Sequence, residues 1–269
     1  MRSEPTPLAE PPRYDLLGVP ISAVDLPGAV DHVVELTRRR GAAYVCVRDV
    51  NGVMACQSDA ALLEIHKNAA LVTPDGMPVV WWGRRRGHPV DRVYGPDLMR
   101  ALCGYRTDPP LRHFLCGGED GVAMLLARSL GAAFPGIEIV GTHTPPFRPL
   151  DDAERRALAD QIARSGADIV WIGLSSPKQE RFMAELAPLL PRGVMIGVGA
   201  AFDFLSGRKP QAPRWIQRSG FEWLFRLVTE PRRLWRRYLV NNSLFLWLIA
   251  RQALGLRPGR ASPSSTGVG

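Results

Sequence analysis

The sequence predicts an α/β protein whose parallel sheet is covered by helices on both faces. Apolar runs of strand length alternate with segments of helical periodicity along most of the chain. These runs are apolar at almost every position rather than at every second one, as in strands that are buried on both faces. Hydrophobic residues make up 46% of the 269 residues, which is enough for the large core that such a fold requires.

The elements begin with a short β segment over residues 14–26 and a helix over Pro27–Arg40, where the apolar positions have helical spacing. Five strands follow, each predicted from an apolar run: Ala43–Val47, Leu111–Cys116, Ile137–Gly141, Asp168–Ile172 and Val194–Val198. Five helices lie between these runs: Asp59–Asn68, Gly95–Cys103, Gly121–Ala133, Asp151–Ser165 and Pro177–Leu189. Ligands of a parallel sheet bind in the loops after the carboxyl ends of its strands, so we expect site residues there.

The pattern changes near Arg208, where Arg, Trp and Leu become frequent and Pro231 separates two predicted helices. The chain therefore divides into four predicted segments, and the two terminal ones are polar and rich in Pro or Ser. They are a disordered N-terminus over 1–13, an α/β core over 14–207, a helical, basic, membrane-associating appendage over 208–257, and a disordered tail over 258–269.

The excess of positive over negative charge lies in the last quarter of the chain, which contains the appendage. Twelve of the 34 Lys and Arg residues but only two of the 26 acids lie from Gly207 onward, so the whole net charge of +8 arises there. This asymmetry indicates an anionic partner: phosphate, nucleic acid or lipid headgroups. Trp and Leu residues between the arginines favour an amphipathic helix on an anionic membrane surface. The residues expected to enter the interface are Leu239, Leu244, Phe245, Trp247, Leu248 and Ile249.

The four cysteines are widely spaced and form no C-x-x-C motif, so we expect neither a zinc site nor a redox site. The first residues lack the apolar region of a secretory signal, and no stretch reaches about 18 apolar residues. We therefore expect a cytoplasmic protein that binds peripherally to the inner face of the cell membrane.

Three polar residues follow predicted strands. Asp75, in the Thr-Pro-Asp-Gly loop after the short apolar run Ala69–Val72, is either an ordinary turn residue or a general base held on a rigid turn. Asn51 is either a helix cap or an amide that binds a sugar or the base. Gln179, in Ser-Pro-Lys-Gln-Glu, opens a helix whose free N–H groups suit an anion or a sugar, although the same pattern fits any capped helix. In the appendage, Arg226, Arg233 and Arg236 can share one helix face.

Five motifs taken together resemble one family. They are TPDGMPVVW, RVYGPDL, SPKQE, GVGAAFDFLSG, and APRW followed by FEWLFRLVTEPRR and RRY. Their order and spacing between residues 14 and 240 resemble the WecG/TagA/CpsF family of bacterial glycosyltransferases. The resemblance implies a Rossmann-like core with a mobile appendage. It also implies inverting transfer of N-acetylmannosamine, or a related sugar, from a UDP-sugar to a sugar linked to undecaprenyl diphosphate.

The same resemblance assigns roles to individual residues. Asp75 would be the catalytic base, and Asn51 and Gln179 would position the donor, the acceptor or the base. Arg92 and Asp203 would contact the UDP-sugar, and the appendage arginines Arg226, Arg233 and Arg236 would close over its diphosphate. Asp49 departs from the family pattern, which usually has a small hydroxyl residue there. The donor therefore stays open, with UDP-glucose and UDP-glucuronic acid for exopolysaccharide assembly as alternatives.

The sequence has no Asp-x-Asp motif, which many nucleotide-sugar transferases use to hold a metal on the diphosphate. Arginines pair bidentately with phosphates and would stabilise the leaving UDP instead, so no metal and no cofactor are predicted. Three other functions fit parts of the sequence: a basic nucleic-acid-binding protein, an NAD-dependent oxidoreductase and a non-catalytic UDP-sugar binder. The sequence lacks the G-x-G-x-x-G dinucleotide fingerprint, which argues against the oxidoreductase. The expected partners are a UDP-sugar, a polyprenyl-diphosphate-linked acceptor and an anionic membrane, but not nucleic acid, while homo-oligomerisation stays open.

Overall fold

The computed structural model describes residues 9–220, 222–229 and 231–255. The side chains at positions 218, 226, 229, 232–234 and 236–240 lie outside this description. The tail predicted over 258–269 and the first eight residues of the segment predicted over 1–13 also lie outside the described residues.

A six-stranded parallel sheet forms the centre of the protein, and a two-stranded antiparallel hairpin precedes it. The hairpin consists of β1 (Arg13–Leu16) and β2 (Val19–Ser22). The sheet strands are β3 (Gly41–Arg48), β4 (Leu71–Pro74), β5 (Arg112–Gly117), β6 (Glu138–His143), β7 (Ile169–Gly173) and β8 (Arg192–Gly197). They lie in the order β4-β3-β8-β7-β5-β6, with every neighbouring pair parallel, so the predicted α/β fold class is confirmed.

Nine helices of the described chain belong to the core or lie between its strands. They are α1 (Leu26–Thr37), α2 (Val50–Ser58), α3 (Ala60–Asn68), α4 (Met77–Arg85), α5 (Gly95–Cys103), α6 (Val122–Ala133), α7 (Asp152–Ser165), α8 (Lys178–Leu186) and α9 (Ala201–Leu205). A 3-10 turn over Ala187–Leu189 extends α8. The appendage adds α10 (Arg214–Ser219), α11 (Glu222–Thr229) and α12 (Pro231–Ala253).

Each face of the sheet carries its own hydrophobic cluster. In β3 the side chain of Cys46 belongs to one cluster, and those of Val45 and Val47 belong to the other. In β8 the same alternation places Met195 on one face and Ile196 on the opposite one. Successive strand side chains point to opposite faces, so only a sheet covered on both sides buries such continuous apolar runs.

Two helices near the cavity were not predicted. Helix α2 (VNGVMACQS) lacks a clear apolar stripe, and the Asp49 side chain starts it by accepting from the Gly52 N–H group at 2.8 Å. Helix α4 opens with Met-Pro after an uncapped Gly76, so its sequence resembles a continued turn. In the appendage, Pro231 does begin a helix, as its fixed φ favours, but α10 is an additional short helix.

Helix α12 packs on the core rather than standing free. Phe245 is buried in the cluster beside α2, and Leu248 and Ile249 pack against it. These three residues therefore do not face a membrane as expected, whereas Leu244 and Trp247 are exposed. Leu239 lies outside the described side chains. No helix within residues 9–220, 222–229 and 231–255 has the length and apolar character needed to cross a bilayer.

Candidate active site

A cavity of about 560 Å³ opens where β3 and β4 end. The loops after these strands touch, because a side-chain carbon added at Gly76 would lie 3.7 Å from the Cα atom of Asp49. The polar residues around the cavity are Asp49, Asn51, Asp75, Arg85, Arg92, Gln217, Glu222 and Asn242. Its position at the carboxyl ends of parallel strands is where such folds bind their ligands.

Asp75 lies directly after β4, and its N–H group donates to the Arg48 carbonyl oxygen of the neighbouring β3 loop at 2.9 Å. This bond fixes the turn, and the side chain, 21% exposed, lines the cavity. Burial raises the pKa of Asp75 to about 7; Arg92 opposes this shift, and the carboxylates of Glu222 and Asp49 add to it. A carboxylate with a pKa near neutrality suits proton transfer at physiological pH.

Arg92 is the cation that holds Asp75. Its Nη2 and Nε atoms lie 3.1 and 3.3 Å from Oδ1 of Asp75, and its Nη2 atom also pairs with Glu222 of α11. Its Nη1 atom donates to the Gln217 carbonyl oxygen at 3.2 Å, and its guanidinium lies over the Tyr94 ring at 4.2 Å. The predicted base therefore shares a guanidinium with a carboxylate contributed by the appendage.

Asn51 lies in the first turn of α2 and lines the same cavity. Its Nδ2 atom donates to Oδ2 of Asp49 at 3.1 Å, while Oδ1 of Asp49 caps α2. Its Oδ1 atom accepts from Nδ2 of Asn241 in α12, also at 3.1 Å. The unusual Asp49 thus orients Asn51, and the appendage reaches the site at a second point.

Gln179 lies behind the cavity rather than in its lining. Its side chain is 4% exposed, and its Nε2 atom donates to Oε1 of Glu180 at 2.9 Å. That carboxylate forms a fully buried ion pair with Arg48, which also donates to Oγ of Ser176 at 3.1 Å. Since Asp49 and Asn51 lie one and three residues after Arg48, this buried pair connects the α8 motif to the segment that carries Asn51.

The remaining predicted residues lie elsewhere or outside the description. Asp203 is on α9, where Lys209 pairs with it at 3.2 Å and Arg208 at 3.7 Å, and it does not line the cavity. Arg226 lies within α11, and Arg233 and Arg236 lie within α12, but their side chains are not among the described ones. Their role over the diphosphate remains a prediction.

Sequence reasoning missed three contributors to this site. Glu222 gave no signal, because a single acid in a basic segment resembles an ordinary surface residue. Trp81 and Trp82 lie on α4, which was not predicted as a helix, and both line the cavity. Among the described residues, no group of three or more His, Cys, Asp and Glu side chains converges as a set of metal ligands.

Known proteins are similar to this chain in sequence. The N-acetylglucosaminyldiphosphoundecaprenol N-acetyl-beta-D-mannosaminyltransferase of Bacillus subtilis (strain 168) is 31% identical over 186 residues, which cover 69% of this chain and 70% of the relative. The WecG/TagA/CpsF family of glycosyl transferases matches residues 14–259, a range that contains both the core and the described appendage. The chain belongs to this family and is a glycosyltransferase.

Proposed function

We propose that the protein transfers N-acetylmannosamine, or a closely related sugar, from a UDP-sugar to N-acetylglucosamine linked to polyprenyl diphosphate. The acceptor class is the one on which the Bacillus subtilis relative acts, as its name states. The observation that carries the proposal is Asp75, a carboxylate with a pKa raised to about 7 that lines a cavity at the carboxyl ends of two strands. UDP-glucose and UDP-glucuronic acid remain the alternative donors.

The chemistry we propose is one displacement with inversion. The acceptor hydroxyl oxygen attacks the anomeric carbon of the donor, and the bond from that carbon to the diphosphate breaks with its electron pair on UDP. Asp75 accepts the hydroxyl proton during the attack. A positioned general base of this kind contributes roughly a hundred- to ten-thousandfold in rate.

We further propose that arginines, rather than a metal, stabilise the departing diphosphate. The candidates are Arg92 at the cavity and Arg226, Arg233 and Arg236 of the appendage. Support comes from the contact of Glu222 with Arg92, since a diphosphate arriving at Arg92 offers the same kind of anionic partner. Gln179 acts behind the base through Glu180, and Asp203 contacts the donor only if it exchanges its local ion pairs for donor contacts.

The appendage is proposed to place the enzyme on the inner face of the cell membrane. Its basic residues and the exposed Leu244 and Trp247 suit an anionic interface, where each cation near the surface contributes about 1 kcal/mol. Because Asn241 and Glu222 both reach the site, docking of the appendage and completion of the site are coupled. The segments 14–207 and 208–257 are the proposed core and membrane-associating parts.

The test measures UDP release from a panel of UDP-sugars with a short-chain lipid-diphosphate N-acetylglucosamine acceptor in the presence of EDTA. We expect release with one donor, resistant to EDTA and lowered at least a hundredfold in Asp75→Asn. Glu64→Gln removes an exposed carboxylate whose ion pair within the described residues is with Lys67, and it should leave release unchanged. UDP release that requires added metal would refute the proposal that arginines stabilise the diphosphate. Near-normal turnover in Asp75→Asn would show that Asp75 is not the general base.

A further inference from the structure

The cavity continues away from the polar site as an apolar trough between α4 and α12. At its inner end, Asn241 of α12 donates to Asn51. At its outer end, Trp82 of α4 donates to the Asp15 carbonyl oxygen at 2.9 Å, and Gln252 of α12 donates to the carboxylate of the same residue. At 1.5 Å per helical residue, the distance along α12 between these ends is about 16 Å.

Apolar side chains make up the walls of the trough. They are Met77, Trp81, Trp223, Phe245, Leu246 and Ile249. A nucleotide-sugar carries polar groups along its whole length, and polar groups lose their water unfavourably where no partner replaces it. The trough therefore fits a hydrocarbon segment better than any part of the donor.

The outer end of the trough is open and has the character of a membrane-facing surface. Leu246 lines the middle of the trough and is 66% exposed, and Leu254, directly after the end of α12, is 76% exposed. Helix α4 ends at Arg85, which lines the cavity, and the next residue, Arg86, stacks over Trp82 of the outer end at 4.9 Å. Cations beside exposed apolar side chains suit the interface of an anionic bilayer.

We propose that the apolar trough binds the first isoprenoid units of the polyprenyl-diphosphate acceptor. This inference rests on the proposed function for the identity of the acceptor. The chain enters from the bilayer at the open end, near Leu254, and runs past Leu246 between α4 and α12 toward the polar site. The acceptor sugar is thereby directed to Asp75, and the enzyme discriminates among acceptors by their chain as well as by their sugar.

The test compares two acceptors with the same sugar diphosphate, one bearing a farnesyl chain and one bearing an ethyl group, in solution without membranes. The wild-type kcat/KM should be at least about tenfold higher for the farnesyl acceptor, because apolar surface is buried on binding. Leu246→Asp should reduce this ratio at least about tenfold, since it places a charge in the wall of the trough. Binding of farnesyl diphosphate by calorimetry supplies a readout that does not depend on transfer.

Ala250→Asp is the matched control. Ala250 is exposed on the same helix but is not among the described residues that line the cavity, so this variant should keep the wild-type ratio. If both variants reduced the farnesyl-to-ethyl ratio equally, or if the wild-type enzyme used the two acceptors with the same kcat/KM, the trough would not be the binding site of the isoprenoid chain. Absence of transfer with both acceptors, together with farnesyl diphosphate binding that only Leu246→Asp weakens, would overturn the proposed function and leave the trough as a prenyl-diphosphate site.

Discussion

Replacing Glu222 with Gln should make the enzyme relatively more active at acidic pH. Asp75 and Glu222 both contact Nη2 of Arg92, so their nearest oxygens are no more than about 6 Å apart. Two unit charges at that distance repel by about 3 kcal/mol at an effective dielectric constant of 20, and by about half of this value if water enters the cavity. Removing one charge therefore lowers the pKa of Asp75 by about one to two units.

The direction follows from the role of Asp75 as a base, which acts only when it is ionised. In the wild-type enzyme the pKa of about 7 places the acidic limb of the kcat/KM profile near neutrality. The ratio of activity at pH 6 to activity at pH 8 is then about one tenth, and in Glu222→Gln it rises to about one half or more. The plateau at high pH falls modestly, because a weaker base accepts the proton less readily.

The assay is kcat/KM for UDP release between pH 5 and 9 at constant ionic strength. Glu64→Gln is the matched control, because it removes an exposed carboxylate that pairs only with Lys67 and should leave the limb in place. An acidic limb that stays at the wild-type pH in Glu222→Gln, or moves to higher pH, would show that Glu222 does not raise the pKa of Asp75.

Three further outcomes concern stability. The pKa of Asp75 is raised from 3.8 to about 7, so its ionisation costs the folded state up to about 4 kcal/mol above pH 7 and nothing below pH 4. Asp75→Asn should therefore raise the Tm at pH 8 but not at pH 4. Equal shifts of the Tm at both pH values would contradict this prediction. Glu180→Gln leaves the buried Arg48 without its charged partner and should cost about 3–5 kcal/mol in urea unfolding, so a loss below about 1 kcal/mol would show that the pair is dispensable. Gly117 has a φ of 135°, and a methyl group there would lie 2.7 Å from the backbone of Gly173, so Gly117→Ala should lower the free energy of unfolding by at least about 2 kcal/mol. Gly131 lies on α6 with no atom within 4 Å of an added methyl group, so Gly131→Ala should raise that free energy by up to about 1 kcal/mol.

Local patterns in the sequence were sufficient for most of the fold. The predicted strands Ala43–Val47 and Val194–Val198 agree within a few residues with β3 and β8. Short runs that are apolar at every position are typical of strands buried on both faces of a sheet. The order of the strands was not predictable, since β3 pairs with both β4 and β8, and β8 is the last strand along the chain. Such pairing depends on contacts between distant segments, which periodicity does not contain.

What the sequence by itself determined is the class of the fold, the family and the position of Asp75 in a loop after a strand. Only the tertiary structure decided what surrounds that residue. Arg92 follows it by 17 residues and Glu222 by 147, yet both contact one another beside it. The environment that sets the pKa of Asp75 arises because Arg92, Asp49 and Glu222 of α11 meet beside it. The apolar trough arises because α12 packs against the site, where Asn241 donates to Asn51. Burial and charge at a point in space depend on which segments meet there, and a linear pattern carries that information only for neighbours in the chain.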